Sequence, residues 1–289
     1  MTGRRELRSL ITDLSMLKTL TQTYQQIAAN HIRKTRTSVV LNRDFITELL
    51  TLFQDVRIAY RGQLLTLMKK KKINHTDNLS LIRRNGKTVV VFIASNTGLY
   101  GSIIKKTVGM VNDYLTKNDV EVAILGRAGE ALFKEANPDK KYMLFDFPDA
   151  GIDSRKLSDL VSYLLKYEKV LVFYSEFQSI VSQNPTISTL DSSISMEEGD
   201  ARLVKKYLFE PSLEKIIVFF ETEIFGLIFE QTIRESQLAK QASRMYALDQ
   251  AIQNIDTSLS KTKTSEGILA HRILNSKQIN SLASMRLWG

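Results

Sequence analysis

The chain's 289 residues are 43% hydrophobic and 25% charged, which supplies material for a sizeable core and excludes an intrinsically disordered polymer. With no cysteine, disulfide frameworks, thiolate metal sites and cysteine nucleophiles are excluded as well. The formal net charge of +9 predicts attraction to an acidic partner, whether nucleic acid, anionic lipid or a protein surface.

The N-terminus, Met1-Thr2-Gly3-Arg4-Arg5, opens no continuous apolar run, and no stretch of about 18 apolar residues occurs, so a soluble, cytoplasmic protein is expected. The prolines are Pro138, Pro148, Pro185 and Pro211, which leaves both ends free of the strongest helix breaker. Over residues 1–62 a heptad runs through Leu7, Leu10, Leu14, Leu17, Thr21, Tyr24, Ala28, His31, Thr35, Ser38, Asn42, Phe45, Leu49, Leu52 and Val56. It predicts a long helix with a coiled-coil seam. Residues 63–87 follow as a basic linker with Lys69-Lys70-Lys71-Lys72, Arg83, Arg84 and Lys87, read as a solvated loop.

From 88 to 206 the pattern changes to short apolar runs alternating with amphipathic stretches. Strands are predicted at Thr88 to Ser95, Val120 to Leu125, Tyr142 to Phe147 and Val170 to Ser175, and helices at Ile103 to Thr116, Ala128 to Ala136 and Ser154 to Tyr167. The unbroken run Val89-Val90-Val91-Phe92-Ile93 suits a parallel strand covered on both faces, and so a Rossmann-like α/β layer.

From 207 to 289 a second register holds through Leu213, Ile217, Phe220, Ile224, Leu227, Leu238, Met245, Leu248, Ile252, Ile255, Leu259, Leu269 and Ile273, with Gln231, Arg234, Gln241, Thr262 and Glu266 as its polar positions. A continuous helix over that span would be roughly 100 Å long, several times the width of a small domain. It needs a partner, and the N-terminal helix carries the only comparable stripe, so the two are expected to wind antiparallel in a left-handed supercoil. The predicted fold class is therefore α/β, with a long antiparallel two-helix coiled coil from the two ends and a central Rossmann-like insert. Leu14, Leu17, Leu248, Ile252, Ile255 and Leu259 are the expected seam.

The search for chemistry is negative. Gly86-Lys87-Thr88 ends like a phosphate-binding loop but lacks its first glycine and leads into a strand. Ser95 to Ser102 lies where dinucleotide folds carry their glycine fingerprint, yet Asn96 stands in place of the first glycine, although Asp119 sits near the distance of a ribose-binding acid. His31, His75 and His271 have no partner at metal-ligand spacing, and Glu197-Glu198 and Glu221 with Glu223 suit solvation or a helix start. No catalytic residue, metal or cofactor is expected.

Several motifs occur in a telling order. Ile27-Ala28-Ala29 precedes Arg33-Lys34; Gly98-Leu99-x-Gly101 follows a strand; Asn184-Pro185-Thr186-Ile187-Ser188 and Tyr207-Leu208-Phe209-Glu210-Pro211 come next; Gln241-Ala242-Ser243-Arg244-Met245-x-Ala247 and Ala251 to Asn254 complete the series. With two long helices around an α/β insert, the chain resembles the gamma subunit of F-type ATP synthases. It departs from that family at Asn96-Thr97, Tyr100 and Ser102, after Asn254, and at its Arg286-Leu287-Trp288-Gly289 end.

The resemblance implies a non-catalytic rotor shaft inside a hexamer of alpha- and beta-like P-loop subunits. Its base would meet an epsilon-like rotor subunit and a membrane ring on the cytoplasmic face, with no nucleic acid. Arg33, Lys34, Arg36, Arg244, Met245 and Asn254 are the implied hexamer-facing contacts. Beside this stand a paralogous shaft for surface motility, suggested by Asn96-Thr97 and the altered tail, a basic coiled-coil nucleic-acid binder suggested by the lysine run, and a dinucleotide-dependent enzyme.

Overall fold

A computed structural model describes residues 3–70, 82, 84–190, 210 and 212–287. Lys71, Lys72, His75, Arg83, Glu197-Glu198, Tyr207 to Phe209 and Pro211 of their motif, and Trp288-Gly289 lie outside the described residues. The elements are helices α1 (Arg4–Ala59) and α2 (Arg61–Lys70), strand β1 (Thr88–Ile93), α3 (Ile103–Leu115), β2 (Glu121–Leu125), α4 (Arg127–Ala136), β3 (Met143–Phe145), α5 (Ser154–Leu164), β4 (Lys169–Phe177), β5 (Gln183–Leu190) and α6 (Leu213–Leu287). They form two compact units, one of Met1–Asn30 with Arg244–Gly289 and one of His31–Ser243. The expected boundaries after residues 62 and 206 set both long helices apart from the insert, whereas the compact units divide inside both helices. The reason is burial: Phe225, Phe229 and Ile233 of α6 belong to the core of the sheet.

In the larger unit five strands stand in the order β3-β2-β1-β4-β5. β1 pairs parallel with β2 and β4, β2 pairs parallel with β3, and β5 pairs antiparallel with β4. Alternation along β1 sends Val89, Val91 and Ile93 to a core shared with α5 and α6, and Val90 and Phe92 to a core shared with α3 and α4. Both faces are thus covered, which is why the strand is apolar throughout.

Two elements depart from expectation. β5 carries Pro185 and alternates polar residues, which hides a strand from an apolar search; as the edge of the sheet it tolerates the missing N–H. The stretch expected as a basic linker begins as α2, whose Leu64 is fully buried with Phe53, Val56, Ile217 and Ile224. In the same unit α1 and α6 run antiparallel, Asn42 Nδ2 donating to Gln231 Oε1 at 3.2 Å and the Phe53 and Phe220 rings 5.5 Å apart.

Candidate functional site

In the smaller unit α1 and α6 are wound together, and the polar contacts define their direction. Arg4 Nε and Arg8 Nε donate to Glu266 Oε1 at 2.8 and 3.1 Å, Lys18 Nζ to Asp256 Oδ1 at 2.6 Å, and Gln25 Nε2 to Asp249 Oδ1 at 3.2 Å. From the Lys18 pair to the Gln25 pair, one heptad forward on α1 is matched by one heptad back on α6. The two arginines hold the Glu266 carboxyl below the usual carboxylate range through their hydrogen bonds, reinforced by their charge.

The shielded rows of α1 here are Leu7, Leu14, Thr21 and Ala28 with Arg4, Ile11, Lys18 and Gln25. Leu17, expected in the seam, is instead 48% exposed, and Leu10 and Tyr24 of its row are exposed with it. Three of the four residues in that second row are polar, so an apolar pattern selects the neighbouring row. On α6, Leu248, Ile255 and Leu259 are buried, and Leu14 of α1 and Ile252 of α6 are half-buried.

The larger unit holds a second polar constellation, at the carboxyl ends of β1, β2 and β3. Asp149 accepts from Asn96 N at 2.7 Å, Thr97 N at 2.8 Å and Thr97 Oγ1 at 2.6 Å. Asn96 Nδ2 donates to Phe147 O at 2.7 Å and to Asp146 Oδ1 at 3.1 Å, while Asn96 Oδ1 accepts from Arg127 N at 2.9 Å. Asn96 is thus the hub of three loops, a role that glycine at this position could not fill. Gly126 belongs to the same cluster: its φ of +104° and a Cβ that would lie 2.5 Å from the Ser95 backbone leave room for no side chain.

From α6, Gln237 Nε2 donates to Pro148 O at 3.1 Å and Gly151 O at 2.8 Å, Lys240 Nζ to Ala94 O, and Ser243 Oγ to Tyr100 O at 2.8 Å. Lys240 is only 3% exposed. None of Asp149, Gln237 and Lys240 stands out in the sequence. Ala239 and Ala242 beside them, both buried, are the trace that was available, since small residues mark close approach of a helix to backbone.

Asp119 lies before β2, whereas the loop after β1 is at the strands' carboxyl ends. It pairs with Lys140, whose hydrogen bond and charge hold its carboxyl low, and it takes no part in the loop. Lys87, of the failed phosphate-loop triplet, pairs with Glu121 at 2.9 Å. Arg33, Lys34 and Arg36 are exposed on α1 in the larger unit. Arg244 and Met245 are half-buried and Asn254 exposed on α6 in the smaller one. Among the described residues no group of histidines and acids could hold a metal ion, and no helix is long and apolar enough to cross a membrane.

A family model described as ATP synthase matches residues 3–265. An ATP synthase gamma chain of Brevibacillus brevis is 22% identical over 273 residues, covering 90% of this chain and 89% of that one. Another, of Christiangramia forsetii, is 24% identical over 291 residues, covering 95% and 96%. The fold is shared with a chain in the central stalk and c-ring structure of Tetrahymena thermophila mitochondrial ATP synthase, at a TM-score of 0.56 and 17% identity, covering 80% of this chain and 99% of that one. Long helices paired antiparallel, an α/β sheet between them and a match over nearly the whole length lead to one assignment: the chain belongs to the ATP synthase gamma-chain family.

Proposed function

We propose that the chain is the central rotor shaft of an F-type rotary ATPase, with no active site of its own. It carries torque between a hexamer of alpha- and beta-like P-loop subunits and a rotor base with an epsilon-like subunit and a membrane ring. The complex would hold it at the cytoplasmic face of the membrane. The observation that carries this reading is α6, one unbroken helix over Leu213–Leu287 that α1 accompanies antiparallel in each unit. Two wound helices resist twist better than one, and their unequal faces give a surrounding ring different contacts in each orientation. Such differential contacts are what shifts nucleotide affinity from site to site.

Arg33, Lys34, Arg36, Arg244, Met245 and Asn254 are the proposed hexamer-facing contacts. Exposed cations such as Arg33, Lys34 and Arg36 suit a moving surface, because screened surface charge guides an acidic loop without locking it. A dinucleotide role gains no support, since Asp149 takes the amides of the loop after β1.

Affinity purification from the native cell, with the partners' masses determined, tests the reading. One copy of the chain with a hexamer of P-loop subunits is the expected outcome. Recovery with nucleic acid and no such hexamer would contradict it.

A further inference from the structure

One face of α6 puts Phe225, Phe229 and Ile233 into the core against the sheet, and then, at continuing helical spacing, presents Gln237, Lys240 and Ser243. The switch from apolar to hydrogen-bonding residues follows what lies opposite. The body of the sheet is apolar, while its carboxyl-end loops expose carbonyls that have left the strand ladder and need donors. The acceptors are Ala94, Tyr100, Pro148 and Gly151, all at or after strand ends. Doubly wound sheets take their ligands at the carboxyl ends of their strands, with the amides of the loop after the first strand on a phosphate, and the loop after β1 is one side of the crevice here. In this chain both parts of that ligand are internal: a carboxylate occupies the amides and a helix face occupies the crevice.

We infer that the strand-end crevice is a clasp, a converted ligand site whose occupant is α6, and that it fixes the rotational setting of α6 on the α/β layer. Its use, though not its existence, rests on the rotor reading above. Apolar contacts are non-directional and permit a helix to roll. Hydrogen bonds depend steeply on angle, and Gln237, Lys240 and Ser243 share one side of the helix, so a roll about its axis strains them together. Twist applied to α6 is then delivered to the sheet instead of slipping past it, and the filled crevice admits no nucleotide.

Hydrogen exchange on the full chain, comparing wild type with Lys240→Met, tests the clasp. Gln237→Leu and Asp149→Asn serve as milder changes should the first disturb folding. The Asn96 and Thr97 amides should exchange about tenfold faster in the variants, with α5 unchanged, and millimolar ADP or ATP should leave the wild-type pattern as it is. In the assembled complex Lys240→Met should still hydrolyse ATP but develop lower torque at the α/β layer. Unchanged loop protection in all three variants, protection induced by nucleotide in the wild type, or full torque after protection is lost would each overturn the inference. Failure of the wild-type chain to assemble with a P-loop hexamer would count against the rotor reading alone, since the exchange result needs no partner.

Discussion

Arg57 is 2% exposed in the larger unit, with its guanidinium 5.4 Å from the centroid of the Phe53 ring. Burial lowers its pKa, and the charge of Glu221, also buried, works in the opposite direction. With both charges buried, removing one takes away an opposite charge that offsets the burial of the other. Arg57→Ala is therefore expected to cost about 3–5 kcal/mol, whereas the double change Arg57→Met with Glu221→Leu should cost far less; thermal unfolding of both variants measures the difference.

Two carboxylates make opposite predictions about pH. Glu235 is pushed above the usual range by burial and by Glu176, with Arg43 opposing, so the folded state binds its proton more readily than the unfolded state does. Its contribution to stability falls as pH rises through the interval between the ordinary and the folded pKa, and Glu235→Gln should remove that slope. Glu266 is depressed by Arg4 and Arg8, so its contribution is present above the ordinary carboxylate pKa and is lost as pH falls through the folded one. Melting temperature against pH for Glu235→Gln and Glu266→Gln should show slopes removed in opposite senses.

At the scale of elements, the four parallel strands of the sheet were legible as apolar runs, and the α6 stripe because its register keeps one period without a slip, although Gln231, Arg234, Gln241, Thr262 and Glu266 interrupt it. The second seam row of α1 was not. In the smaller unit it contains Arg4, Lys18 and Gln25, which reach the seam by pairing with Glu266, Asp256 and Asp249; in the larger unit it contains Ile32, Val39, Ile46 and Phe53. A single register through Leu10 and Leu17 could not find a row whose chemistry changes midway. The corrected register has a direct check. Ala28 is fully buried, so Ala28→Leu should overpack the helix pair and cost about 1–3 kcal/mol, while Leu17→Gln should stay within about 0.5 kcal/mol. Denaturant midpoints of the two variants would reverse that order if Leu17 were the seam residue.

For the whole molecule, the smaller unit joins two stretches separated in sequence by the larger, contiguous one, and each unit takes part of α1 and part of α6. That interleaving is invisible to composition shifts along the chain, which is why boundaries drawn at changes of pattern separate the helices from the sheet they pack on. The fold class and the family were legible because pattern and motif order survive at low identity. The strand-end clasp was not, because Gln237, Lys240 and Ser243 have the composition of a solvated helix face and only the strand-end carbonyls opposite reveal their use.

The absence of cysteine makes the central claim directly measurable. Lys117, exposed after α3, can be changed to cysteine and carry a bead, with the partner hexamer fixed to a surface. On addition of ATP the bead is predicted to turn in one direction, and a complex that hydrolyses ATP while the bead stays still would contradict the account.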